Sequence, residues 1–366
     1  MYLFFDPRPK EKREDLFDRE RELERFSDAL AYSPLILILG ARRMGKTSLM
    51  NVALKESRQP YVIIDLRGLP YNPSRADLLR RFETGFKKAS KNWRSSLLDA
   101  LSKVNGISVL GSSISFSWGK NRVDLAELFD TVDEWALKAG VKFFVAFDEL
   151  QIVRGEREFP RLFAHVADTN RNVVLVVSGS EVGVLFDFLK FDNPSSPLYG
   201  RHYSDITLNK FSKMESTEFL RRGFEQLGLR VQEDVLEYAV EQLDGVIGWL
   251  TRFGARCREL KSCTKSVVDN VAYEGGQLAR EEVASLPARS KRYATILNHL
   301  AKVENAHWNE IKRILEAREG HTITNTAFTQ VLSNLVKMGF IEKKEDTYTI
   351  YDPLLKRGVL EHPLPE

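Results

Sequence analysis

Short apolar runs alternate with helically spaced segments through the first two hundred residues. The runs are residues 34–39, 61–65, 143–148 and 173–177, with a weaker candidate at 205–208. Strands that are apolar throughout are buried on both faces, as in a parallel sheet. Alternation with helices predicts an α/β fold, a doubly wound parallel sheet with helices on both faces. The first helix is expected over 18–32, where Leu23, Phe26 and Leu30 recur at helical spacing. Residues 105–119 alternate around Gly111-Ser112-Ser113, a hairpin signature, and read as an insertion beside a basic helix. From 213 to 288 the period is helical throughout: Leu220, Phe224 and Leu227, then Leu236, Val240 and Leu243, then Trp249, Leu250 and Phe253. After Pro287, helices are predicted near 291–302, 308–319 and 324–337, followed by strands at 340–343 and 347–350 around Glu345-Asp346. Three helices and a hairpin make a winged helix. At 366 residues the chain exceeds one ordinary core. The expected domains are 1–210, 211–288 as an all-helical lid, and 289–366, with 73–122 inserted in the first.

The segment Gly40-Ala41-Arg42-Arg43-Met44-Gly45-Lys46-Thr47 fits G-x-x-x-x-G-K-[ST], and it lies between a strand and a helix as that motif requires. A glycine-bounded turn at a helix N-terminus aims backbone N–H groups and the positive end of the helix dipole at one point. The loop through Ser48 is thus the expected binding site for ATP or ADP. Lys46 would meet the β- and γ-phosphates, and Thr47 would ligate Mg²⁺. Residues 143–147 are apolar and run into Asp148-Glu149. Such a strand would let Asp148 hold Mg²⁺ through its water shell, and Glu149 take a proton from the attacking water. Asn209-Lys210-Phe211-Ser212 lacks the aspartate of a guanine reader, which favours adenine. The strand ending in Ser178-Gly179-Ser180 is expected between the other two. Its polar end fits a γ-phosphate sensor or a simple turn.

Charge is uneven. Residues 73–122 carry ten Lys/Arg against three acids, net +7, leaving −4 for the remainder of a +3 chain. With Trp93 and Trp118 among its cations, that segment is the better electrostatic candidate for nucleic acid. The other reading is a solvated helix face. The winged helix, with eleven Lys/Arg and ten acids over 290–366, is nearly neutral. Its candidate recognition helix offers Thr324, Asn325, Thr326, Thr329, Gln330 and Asn334, and one cation, Lys337. Phosphate neutralisation dominates affinity, so DNA contact and docking to a protein partner stand level there. Cys257 and Cys263, six apart, are expected on different helix faces and match no zinc or redox motif. No apolar stretch reaches the ~20 residues of a membrane span. The expectation is a cytoplasmic protein without membrane contact or structural metal.

Taken in order, Asp18-Arg19-Glu20-Arg21-Glu22-Leu23, the Gly40–Thr47 loop, Asp148-Glu149, Ser178-Gly179-Ser180, Leu198-Tyr199-Gly200-Arg201 and the closing winged helix resemble the archaeal ATPase family. That family belongs to the STAND branch of AAA-like P-loop NTPases. The resemblance implies that the segment around Arg19 lines the adenine pocket, that Arg201 reaches the γ-phosphate, and that the helical domain closes over the nucleotide. One departure is Asp244-Gly245-Val246-Ile247, where the family often has Gly-Gly-x-Pro. Losing the proline removes a fixed φ and bears on how tightly the helical domain couples to the nucleotide. The reading is an ATP-binding P-loop ATPase used as a switch or slow motor. The rivals are a DNA-binding regulator with ATP as a structural ligand, and a small-molecule kinase. The kinase would need an arginine-rich lid that the helical region does not obviously supply.

Overall fold

The computed structural model describes residues 4–70, 73–89, 91–111, 113–117, 123–284 and 290–365. Ser112, Trp118, Lys120, Arg122 and Pro287 therefore lie outside the described residues. Tertiary contacts divide the chain into two compact units. An α/β unit comprises Lys10–Gly40 and Lys46–Leu208; a helical unit comprises Met1–Pro9, Ala41–Gly45 and Asn209–Glu366.

The α/β unit runs α1 (Glu20–Tyr32), β1 (Leu35–Leu39), α2 (Lys46–Glu56), β2 (Tyr61–Asp65), α3 (Arg75–Lys87), α4 (Lys91–Leu101), β3 (Ile107–Leu110), β4 (Ser113–Phe116), α5 (Leu125–Ala139), β5 (Phe143–Asp148), α6 (Glu158–Thr169), β6 (Val173–Gly179), α7 (Val182–Leu189) and β7 (Ser204–Thr207). Its five-stranded sheet has the order β2-β5-β6-β1-β7, with every pairing parallel. β1, β5 and β6 are buried along their whole length, which is why their sequences show no alternation. The register sets Leu39 opposite Gly179 and Thr207, and Asp65 opposite Asp148. One sheet edge thus collects the residues that follow the strands.

Local chemistry fixes the helix ends. Ser74 and Asp77 form a capping box on α3, and the Asp124 side chain accepts the Ala126 N–H at the start of α5, which stops at Gly140 with φ 68°. The hairpin β3–β4 forms as expected. Trp93 does not stand among the cations as a free stacking platform. It packs on the core and meets Trp135 edge-on at 6.0 Å, because an indole gains more from burial than from a place on a charged face. Some of the basic charge is also matched locally: Arg75 bonds Glu158 at 2.5 Å, and Arg80 lies 3.6 Å from Asp77.

The helical unit runs α8 (Lys213–Leu227), α9 (Glu233–Leu243), α10 (Ile247–Leu260), α11 (Lys265–Ala284), α12 (Ser290–Lys302), β8 (Ala306–His307), α13 (Trp308–Glu319), α14 (Asn325–Lys337), β9 (Ile341–Lys344), β10 (Thr347–Ile350) and α15 (Pro353–Glu361). β8, β10 and β9 form a small antiparallel sheet, completing the winged helix. α15 was not legible in the sequence. It packs on α11 so closely that a Cβ on Gly358 would stand 2.2 Å from the Gly276 carbonyl oxygen. Ile247 heads α10 in the first-turn position where proline is also favoured. The cysteine expectation is corrected. α10 ends at Leu260, Lys261 turns left-handed at φ 52°, and the chain doubles back so that Cys263 pairs with Cys257 in a disulfide, Cα to Cα 4.9 Å. Helix faces ceased to matter because the helix stops between the two. Among the described residues no helix is long and apolar enough to cross a membrane.

Phe5 packs in this unit against Phe219 and Phe224, over the glycines of two helices. A Cβ on Gly223 would lie 2.3 Å from its ring, and one on Gly254 would lie 2.2 Å from it. Gly254→Ala gains helix propensity of about 1 kcal/mol but must displace a buried ring, an overpacking cost of about 1–3 kcal/mol. The expected net is a lower midpoint in chemical denaturation. A raised midpoint would show that Phe5 does not pack there.

Candidate functional site

The Gly40–Thr47 loop needs its glycines. Gly40 has φ 143°, and a Cβ there would stand 2.5 Å from the Leu208 carbonyl oxygen; Gly45 has φ 86°. Between them Arg43 also takes a positive φ, 67°. α2 starts at Lys46, whose side chain is almost entirely buried, at 5 % exposure. Lysine is rarely so buried without a partner. Here Nζ lies 3.7 Å from Glu149 Oε1. Glu149 follows β5 with φ 63°, a left-handed turn that redirects its side chain from the strand direction.

The second acid is matched to the loop hydroxyl. Thr47 Oγ1 donates to Asp148 Oδ2 at 2.9 Å, and Ser178 Oγ donates to Asp148 Oδ1 at 2.5 Å. Arg67 Nε lies 3.3 Å from Asp148 Oδ2 while its guanidinium forks onto Asp65 at 2.9 and 2.8 Å. Glu149 is held by the same neighbouring strand. Its N–H donates to Ser178 Oγ at 3.0 Å, and its Oε2 accepts from Ser180 Oγ and Gln151 Nε2, each at 2.5 Å. Ser178 and Ser180 therefore do more than close a turn: Ser178 bonds the Asp148 carboxylate and the Glu149 N–H, and Ser180 bonds the Glu149 carboxylate. β6 lies between β1 and β5, so its end stands beside both acids.

One hydroxyl and one carboxylate side by side form a donor set that suits Mg²⁺, which takes one or two protein ligands and completes its shell with phosphate oxygens and water. A closed protein cage would be the wrong geometry for it. Among the described residues no group of three or more His, Cys, Asp or Glu could hold a metal on its own.

The remaining expected residues fall in several places. Met44 is buried, and Ser48 Oγ accepts the Lys10 N–H at 3.0 Å. Arg42 and Arg43 turn toward Glu282 of α11. Arg19, largely buried just before α1, bonds Glu22 at 2.9 Å. Arg201 forks onto Asp168 at 2.9 and 2.6 Å and also donates to the Pro197 carbonyl. Those contacts do not bring it to Lys46, Asp148 or Glu149. Sequence reasoning missed Arg67 and Gln151. Arg67 lies two residues beyond the end of β2, at the strand edge where parallel sheets place ligands, and that position was a usable signal.

Burial pushes the Asp148 carboxyl above the ordinary carboxylate value, and the hydrogen bond from Ser178 only partly offsets this. An acid raised in the folded state penalises its own ionisation. Stability is lost as pH rises from the free value of 3.8 through the folded value, and the penalty persists above it. Asp148→Asn should therefore raise the melting temperature of the nucleotide-free protein at neutral pH, with the gain vanishing below pH 3.8. A lower melting temperature at neutral pH would mean that the contacts of the carboxylate outweigh its desolvation.

A family model described as an ATPase domain predominantly from Archaea matches residues 16–253. A second, the C-terminal winged helix-turn-helix domain of MCM proteins, matches residues 287–353. The structure of the Walker-type ATPase paby2304 of Pyrococcus abyssi is similar, with 34% identity, 98% of this chain and 99% of that chain covered, and a TM-score of 0.82. The ORC2 protein of Aeropyrum pernix, solved in ADPNP-ADP complexes, shares the fold at 14% identity and a TM-score of 0.63, over 98% of this chain and 95% of that one. No curated protein matches the chain. With a buried phosphate-loop lysine facing the strand-end Glu149, and a family model spanning more than half its length, the chain belongs to the ATPase family found predominantly in Archaea.

Proposed function

We propose that the protein is an ATP-binding ATPase that hydrolyses ATP slowly, with Mg²⁺, and works as a nucleotide-dependent switch or slow motor. The observation that carries this reading is the double match at the strand edge: Lys46 faces Glu149 and Thr47 is bonded to Asp148. Lys46 and the loop amides from Gly40 to Ser48 bind the phosphates. Thr47 and Asp148 hold Mg²⁺, which when bound neutralises charge on the phosphate oxygens. Glu149 orients the attacking water and accepts its proton, while Ser180 and Gln151 fix the carboxylate. In this reading Arg19 borders the base, and Arg201 exchanges Asp168 for the γ-phosphate, a contact absent with ADP. The working partition is 1–210, 211–288 and 289–366, and the compartment is the cytoplasm.

A second reading, a DNA-binding regulator with little turnover, is favoured by the +7 segment, whose Arg80, Lys87, Lys88 and Lys103 are exposed. The winged helix supports it less, because α14 already uses Gln330 and Asn334 within the fold.

One steady-state assay separates the readings: phosphate release and nucleotide binding, with and without DNA. Lys46→Ala should abolish ATP binding, because it removes the charge paired with the β/γ-phosphates. Glu149→Gln should keep binding and lose at least about 100-fold in turnover. Wild-type turnover by Glu149→Gln would reject the catalytic assignment. DNA binding without measurable hydrolysis would favour the regulator.

A further inference from the structure

The residues between the loop's two glycines are held inside the helical unit, and the hold centres on Arg43. Its φ of 67° is a left-handed conformation that any residue with a Cβ disfavours by about tenfold. Three contacts keep it there. The Gly248 N–H at the start of α10 donates to the Arg43 carbonyl oxygen at 3.0 Å. A Cβ on Gly248 would stand 2.7 Å from that of Arg43, so glycine is what admits the approach. The guanidinium lies over the Trp249 ring, 4.3 Å from its centre. Its nitrogens bond Glu282 and lie 3.9 Å from Asp352, which also accepts the Trp249 indole N–H at 3.1 Å and the Leu354 N–H at 2.9 Å. Arg42 adds to the same cluster, 3.6 Å from Glu282 and with its guanidinium over Phe340.

Both guanidiniums of the cluster are paired with carboxylates. These arginines therefore add little attraction for phosphate while they remain paired, and what they fix is backbone shape. We propose that Glu282 and Asp352 are positioning residues for nucleotide binding: through Arg43 they hold the loop in the left-handed conformation that aims its amides at the phosphates. The inference rests on the nucleotide-binding reading above and adds a dependence on carboxylates of α11 and of the residue preceding α15. It gives a reason for an arginine in a position where glycine would be strain-free. The loop's conformation, and with it phosphate affinity, is set by the helical unit.

The test is a mutant cycle in the full chain, read by calorimetric ADP affinity with thermal unfolding as a check on folding. Glu282→Gln and Asp352→Asn should each weaken ADP binding about fivefold. In an Arg43→Gly background the same two substitutions should change it by less than about twofold, because glycine takes positive φ unaided. If Arg43→Gly does not fold, Arg43→Asn replaces it, since asparagine also visits this region. Equal losses in both backgrounds, or none in either, would overturn the proposal while leaving the nucleotide reading intact. Failure of the unaltered protein to bind ADP would overturn both.

Discussion

A lysine and two carboxylates at one buried strand edge are the constraint on which the α/β unit depends. Removing charge from water costs several kcal/mol per ion unless partners compensate. Lys46 and Glu149 meet that cost with each other, Glu149 also with Ser180 and Gln151, and Asp148 with Thr47, Ser178 and Arg67. β6 lies directly beside β5, which lets Ser178 and Ser180 reach both acids. Strand order and site chemistry are thus one requirement. Burial still holds the Asp148 carboxyl above its ordinary value, which suits a site built to receive a cation.

Much of this was legible in the sequence because the signals were local. The glycine-bounded loop, the apolar run into Asp148-Glu149 and the small residues around Ser178 each mark a strand end, and the sheet brings strand ends together. The three winged-helix helices appeared where their spacing placed them. What escaped depends on contacts distant in sequence. Nothing near Phe5 announces that its ring sits over Gly223 and Gly254. Nothing near Pro353 announces the helix that packs on Gly276. Cys257 and Cys263 were misread because spacing was counted on a helix that ends before the second cysteine. Arg201 could be located by order along the chain, but its bond to Asp168 could not.

The phosphate loop belongs partly to each unit, since Gly40 and Lys46 group with the sheet and Ala41–Gly45 with the helices. α10 begins at Ile247, and its next residue, Gly248, makes the backbone contact to Arg43.

The central claim is that the site recognises a β-phosphate through the loop and Lys46. Calorimetric titration of the unaltered protein with ATP, ADP and AMP in the presence of Mg²⁺ tests it most directly. The account predicts comparable binding of ATP and ADP, with AMP at least about 100-fold weaker, because AMP offers nothing to the charge-assisted bonds from Lys46 and the loop amides. AMP binding as tightly as ADP would contradict it.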